Sequence, residues 1–152
     1  MKFMSGLIPW NRMTVTAYNP KPYKVLGYFD VENILLYRGI KNYQITDIVY
    51  NTMSKSDMQE FLEFSFAKQR TYIKEKFDCD DFSAVLRGQA KYVLSGFIFG
   101  EVHVFLKDGT KHALNCFIDR NNDFYYIEPQ TNEIFSFYAG KRKGYKPYFV
   151  LI

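Results

Sequence analysis

Cys79, His112 and Glu128 are the residues of this 152-residue chain whose types and order point to chemistry. A thiol acts as a nucleophile only as its thiolate, which an adjacent imidazole can generate. A carboxylate or amide on the second ring nitrogen then fixes the tautomer. Singly, each residue fits a plainer role: Cys79 a packed core thiol, Glu128 a surface carboxylate ahead of Pro129. In this order they predict acyl transfer through a thioester. Cys79 attacks an amide carbonyl, His112 takes and returns the proton, and Glu128 orients the ring. The Cys79 backbone N–H would supply half of an oxyanion hole. Gln69 is a second donor by distance, but the helical spacing puts it on a packed face.

The flanks of Cys79 make the imidazole a requirement. A helix N-terminus favours a thiolate, whereas Asp78, Asp80 and Asp81 disfavour it by like charge. The third member stays open between two residues. If residues 119–123 form a turn centred on Asn121, His112 pairs directly with Gln130 and Glu128 lies diagonally on the same face. Gln130 and Asn115 are therefore auxiliary orienting candidates. A register shift of one residue would move Glu128 and Gln130 to the other face. His103, between Val102 and Val104, reads as a cross-strand packing residue, and Cys116 as a packed thiol. A zinc site from Cys79, Cys116, His103 and His112 lacks any paired-ligand spacing.

The elements that must position these residues are partly visible. Residues 1–55 read as irregular and turn-rich, punctuated by Pro9, Pro20, Pro22 and Gly27, with Val31 to Tyr37 either helix or strand. Ser56 and Gln59 form a capping-box pattern, and apolar spacing extends a helix to Ile73. Asp78 caps a second helix, from Cys79 to about Leu94, which stops at Gly96. After it come strands over 102–106, 112–118, 124–130, 134–138 and 148–152, with Asp108-Gly109 as a hairpin turn. The result is an α+β expectation: N-terminal helices, one starting at the nucleophile, packed on a C-terminal antiparallel sheet.

The length suits one domain, 1–152, with a core that needs no disulfide staples. Fifteen Phe and thirteen Tyr against one Trp, Trp10, imply wide flat packing surfaces. A net charge of +4 from 20 basic and 16 acidic residues is not a nucleic-acid footprint. Lys141-Arg142-Lys143, with Lys146 behind, reads as a solvated loop. Two Cys and the lack of a signal-peptide core at the N-terminus predict free thiols in the cytoplasm, of a host cell if the chain is phage-encoded. The nearly apolar run Tyr92 to Phe99 is too short to cross a membrane.

Three short segments resemble a known family. Cys79-Asp80-Asp81-Phe82-Ser83, His112-Ala113-Leu114-Asn115 and Ile127-Glu128-Pro129-Gln130-Thr131 resemble the C-terminal protease domain of the Marasmius-type mushroom agglutinins, whose stand-alone relatives occur in bacteria and phages. More loosely they resemble bacterial transglutaminase-like cysteine peptidases. The resemblance spans about residues 77–135 and no lectin module is seen. It implies a papain-like fold, a cysteine peptidase with a Cys79-His112-Glu128 triad, a protein or peptide substrate, and calcium dependence with Asp80 and Asp81 as candidate ligands. The competing expectation is a catalytically silent domain that binds a protein or small ligand in the same cleft.

Overall fold

The computed structural model describes Tyr18 and residues 20–152; Pro9 and Trp10 lie outside the described residues. In chain order the elements are β1 (Val25–Gly27), α1 (Tyr28–Tyr37), β2 (Tyr43–Gln44), β3 (Val49–Asn51) and α2 (Lys55–Glu63). A 3-10 turn (Ala67–Gln69) leads to α3 (Cys79–Val93), β4 (Phe99–Phe105), β5 (Lys111–Ile118), β6 (Phe124–Glu128), β7 (Glu133–Ser136), α4 (Phe137–Lys143) and β8 (Lys146–Leu151).

The main sheet has the order β2-β8-β4-β5-β6-β7, and β1 pairs with β3 in a separate ribbon. Neighbours run antiparallel except β2, which joins β8 in parallel. Alternation along the strands builds two cores, one on each face. Val102, Val104, Leu114, Cys116 and Tyr126 pack with Val31, Ile34 and Leu35 of α1 and Phe137 of α4. Phe99, Phe117 and Ile127 pack on the other face with Met58, Phe61 and Leu62 of α2 and Leu86 and Ala90 of α3.

This arrangement corrects the expected α+β order. Helices do not precede a separate C-terminal sheet; eight strands and four α-helices interleave among the described residues, and helices cover both sheet faces. The early strands escape sequence reading because two- and three-residue strands show no period. Val31 to Tyr37 is helix. The α2 helix is shorter than expected. Ser54, not Ser56, is its cap: the Asp57 N–H donates to Ser54 Oγ at 3.1 Å and the Ser54 N–H to Asp57 Oδ2 at 3.0 Å. It ends at Glu63, which leaves Gln69 exposed at the end of the 3-10 turn rather than on a packed face. The basic run 141–143 is the last turn of α4, not a loop, where cations suit the helix C-terminus.

Close packing at Gly100 gives a stability test. A Cβ there would lie 2.2 Å from the Leu151 carbonyl oxygen, whereas at Gly88 in α3 it would meet nothing within 4 Å. Gly100→Ala should cost about 1–3 kcal/mol in urea unfolding, and Gly88→Ala should stabilise by about 0.5–1 kcal/mol.

Candidate functional site

The site is built where the N-terminus of α3 meets the open end of the β5–β6 ladder. Asp78 caps α3 in extended backbone, and its N–H donates to Asp81 Oδ2 at 3.1 Å. Its carboxylate accepts from the Glu75 N–H at 3.2 Å. The helix is fixed to the sheet one turn later. Ser83 Oγ donates to the Leu114 carbonyl at 3.0 Å, and the buried Asn115 amide donates to the Ser83 carbonyl at 2.9 Å and the Gly100 carbonyl at 3.2 Å. Asn115 therefore positions α3 through backbone carbonyls, and no hydrogen bond among the described residues ties it to His112.

The β5–β6 pairing runs from Asn115↔Ile127 to Ile118↔Phe124, centred on Asn121. Beyond its open end, His112 Nε2 and Glu128 Oε2 lie 2.8 Å apart, their side chains 17% and 18% exposed. Gln130 acts through its backbone: its N–H donates to Glu128 Oε1 at 3.3 Å. The half-buried Cys79 thiol meets the backbone amide of Ala113, the residue after His112. Among the described residues no hydrogen bond joins Cys79 to His112. Burial lifts the Cys79 thiol above the ordinary thiol range, and Asp78 and Asp80 add to that; the Ala113 amide opposes it. Asp78 and Asp80 hydrogen-bond each other, which lowers the first carboxyl and raises the second.

Asp78, Cys79 and Asp80 offer ligand atoms within 4.8 Å of one another. Two carboxylates and a soft thiol fall short of the six to eight oxygens, roughly, that calcium takes, and the Asp81 carboxylate is engaged with the Asp78 N–H. The zinc grouping does not assemble. Cys116 is fully buried on the α1/α4 face, its thiol pushed far up by burial. His103 and His112 occupy alternate positions against β4 and β5, since Val104 pairs with His112 and His103 with Ala113.

A neighbouring surface was not anticipated from sequence. Lys111, Phe105 and Lys146 align across β5, β4 and β8, and Ala113, His103 and Phe149 form the next row. A bulge in β8 brings Tyr148 onto the same face, its ring 4.5 Å from Phe105 and 6.0 Å from His103. The alternation in Glu101-Val102-His103-Val104-Phe105 is the legible part of this surface; the bulge is not.

No family model and no curated protein matches the chain. Solved structures do. One is a PSL1a-E64 complex, with a TM-score of 0.70 and 24% identity over 84% of this chain and 51% of that one. Another is Polyporus squamosus lectin bound to the human-type influenza-binding epitope Neu5Acα2-6Galβ1-4GlcNAc, with a TM-score of 0.69 and 25% identity over 84% and 49%. The chain spans about half the length of the solved chains it matches.

The likeness is thus to structures of a lectin, which corrects the resemblance drawn from the three short segments. The papain-like or transglutaminase-like fold, the cysteine-peptidase and hydrolase activity, and the protein or peptide substrate are corrected to a fold similar to about half of a lectin chain. The expected contact between Glu128 and His112 Nε2 is present, whereas among the described residues no hydrogen bond joins Cys79 to His112, and the thiol is raised.

The raised thiol has a measurable consequence. Its thiolate fraction is small near neutral pH and grows tenfold per pH unit until the pKa is reached, so iodoacetamide should label Cys79 slowly at pH 7 and faster as pH rises. Removing a like charge in Asp80→Asn should speed labelling by roughly two- to fivefold, read by mass spectrometry.

Proposed function

We propose that this chain is a ligand-binding module that takes carbohydrate in the corner between the start of α3 and the β5–β6 hairpin. One observation carries the reading: the polar corner is preformed. His112 and Glu128 are held at 2.8 Å with their side chains largely buried, and the Gln130 N–H steadies the carboxylate. Sugar hydroxyls both donate and accept hydrogen bonds, and a carboxylate–imidazole pair offers both functions at fixed positions. Little side-chain entropy is then lost on binding. The half-buried thiol borders the corner. The lectin whose structure this chain resembles supports carbohydrate as the ligand class, and the β-rich scaffold provides a rigid frame for such a site.

The test is titration calorimetry of the full chain with Neu5Acα2-6Galβ1-4GlcNAc and with its neutral core Galβ1-4GlcNAc. Saturable heat with either glycan is expected. Glu128→Gln keeps the shape but removes the charge that orients His112, and should weaken binding of both by about tenfold or more, on the order of 1.4 kcal/mol. Absence of binding to any glycan, or unchanged affinity in Glu128→Gln and His112→Ala, would overturn the reading.

A further inference from the structure

We infer that the β5–β4–β8 face is a second binding surface, built to stack the bases of a single-stranded nucleic acid while lysines hold its phosphates. Strand alternation puts it on the sheet face opposite His112, whose β4 partner Val104 lies in the α1/α4 core. It therefore stands apart from the carbohydrate corner and does not rest on that reading. Three rows cross it. Lys111, Phe105 and Lys146 form the first, Ala113, His103 and Phe149 the second, and Asn115, Glu101 and Leu151 the third. The bulge after His103 adds Tyr148. Phe105, Tyr148, His103 and Phe149 then make an unbroken run of rings, with successive centroids 4.5, 6.0 and 5.9 Å apart. All four are partly exposed, and Phe105, Tyr148 and Phe149 belong to neither core.

The charge complements a phosphate backbone at one end of this run. Lys111 and Lys146 are exposed there, and the Lys111 ammonium sits 5.8 Å over the Tyr148 ring. Lys107 joins them, because its stem packs so closely on Gly144 that a Cβ there would lie 2.2 Å from Lys107 Cγ. Among the described residues none of the three lysines forms a salt bridge. Asp108, in the same turn, has its carboxylate engaged by the Thr110 N–H at 2.9 Å. Negative charge collects at the other end. Glu101 lies 4.0 Å from His103, and Asp78 and Asp80 flank Cys79, whose thiol meets the Ala113 amide. Phosphates are thus drawn to the lysine row and bases to the rings beyond it. Every base has a flat face, so such a shelf stacks them with little regard to sequence, about two or three at a time. A duplex keeps its bases stacked on one another and offers the rings nothing. A bilayer is a poorer match too, since rings lying half-buried in a sheet have no depth to insert. The net charge of +4 hides this cluster, because it averages over the whole chain.

The experiment is fluorescence anisotropy of the full chain with labelled oligo(dT) and oligo(rU) of about 16 nucleotides, and with a DNA duplex of the same length. The single strands should bind at least about tenfold tighter than the duplex. Between about 50 and 200 mM salt, the logarithm of the affinity should fall with a slope of about −1.4 to −2.1, roughly 0.7 for each phosphate held by a lysine. The double variant Lys111→Gln, Lys146→Gln should flatten that slope by about 1.4. Tyr148→Ala should weaken binding about tenfold with the slope unchanged, whereas Tyr148→Phe, which keeps the ring, should bind like the parent. Thermal melting shows that each variant is folded. Absence of binding at the lowest salt, a duplex bound as tightly as the single strands, or a folded Tyr148→Ala without effect would overturn the inference. So would capture by phosphatidylserine vesicles that the oligonucleotides do not compete away, which would assign the face to a membrane surface. Each of these results leaves the glycan titration standing, since its variants lie in the corner across the sheet.

Discussion

The site depends on the clamp between α3 and the middle of the sheet. The Asn115 side chain is fully buried, and its amide donates to one carbonyl on α3 and another on β4, while Ser83 returns a hydrogen bond to β5. Breaking a buried polar set of this kind strands donors and acceptors at about 1–3 kcal/mol each. The clamp sets both the distance and the rotation of α3 over the strands. It thereby fixes where the helix start lies, and so where Asp78, Cys79 and Asp80 meet the strand that carries His112. The apolar contacts of Leu86 and Ala90 with Phe99 and Phe117 hold the helix down, but apolar surfaces slide. Directional hydrogen bonds at Asn115 and Ser83 do not.

The same clamp explains why the corner is open. The β5–β6 ladder stops at Asn115↔Ile127, although both strands continue. Past that point β5 has backbone amides free to meet the helix start, and Ala113 does so. Glu128 keeps the two strands coupled by a side-chain contact to His112 where the backbone ladder has ended. A paired imidazole and carboxylate at the mouth of a splayed hairpin is well suited to holding a polar ligand. Burial and the acidic flanks raise the nearby thiol, which lowers its thiolate fraction.

Much of the local frame was legible in the sequence, and the reasons are physical. The Asp78 cap, the start of α3 and the Asp108-Gly109 turn rest on short-range chemistry, and each is present. The turn centred on Asn121 set the hairpin register, so the diagonal reach from Glu128 to His112 followed from counting. The architecture was less legible. Strands as short as Val25–Gly27 and Tyr43–Gln44 depend on distant partners, Asn51 to Val49 and Val150 to Leu151, that no local window contains. The extent of α2 failed for a related reason: its apolar spacing continues into residues that instead turn at Ser65, whose hydroxyl accepts from the Ala67 N–H. The functional class was misjudged because motifs of four and five residues describe a helix start and strand ends. Those local elements occur on many folds.

The surface beside the corner shows a further limit of reading one strand at a time. Phe105 and His103 belong to β4, Lys111 to β5, and Lys146, Tyr148 and Phe149 to β8. Only the register makes them neighbours, and only the β8 bulge puts two consecutive aromatic residues on one face. A regular strand would have turned either Tyr148 or Phe149 toward the α1/α4 core, where Val150 already packs. The extra residue thus converts an ordinary alternating strand into a wide aromatic shelf, with lysines at one end and carboxylates at the other. That polarity is a property of the assembled sheet rather than of any segment, so a net charge of +4 over the whole chain conceals it.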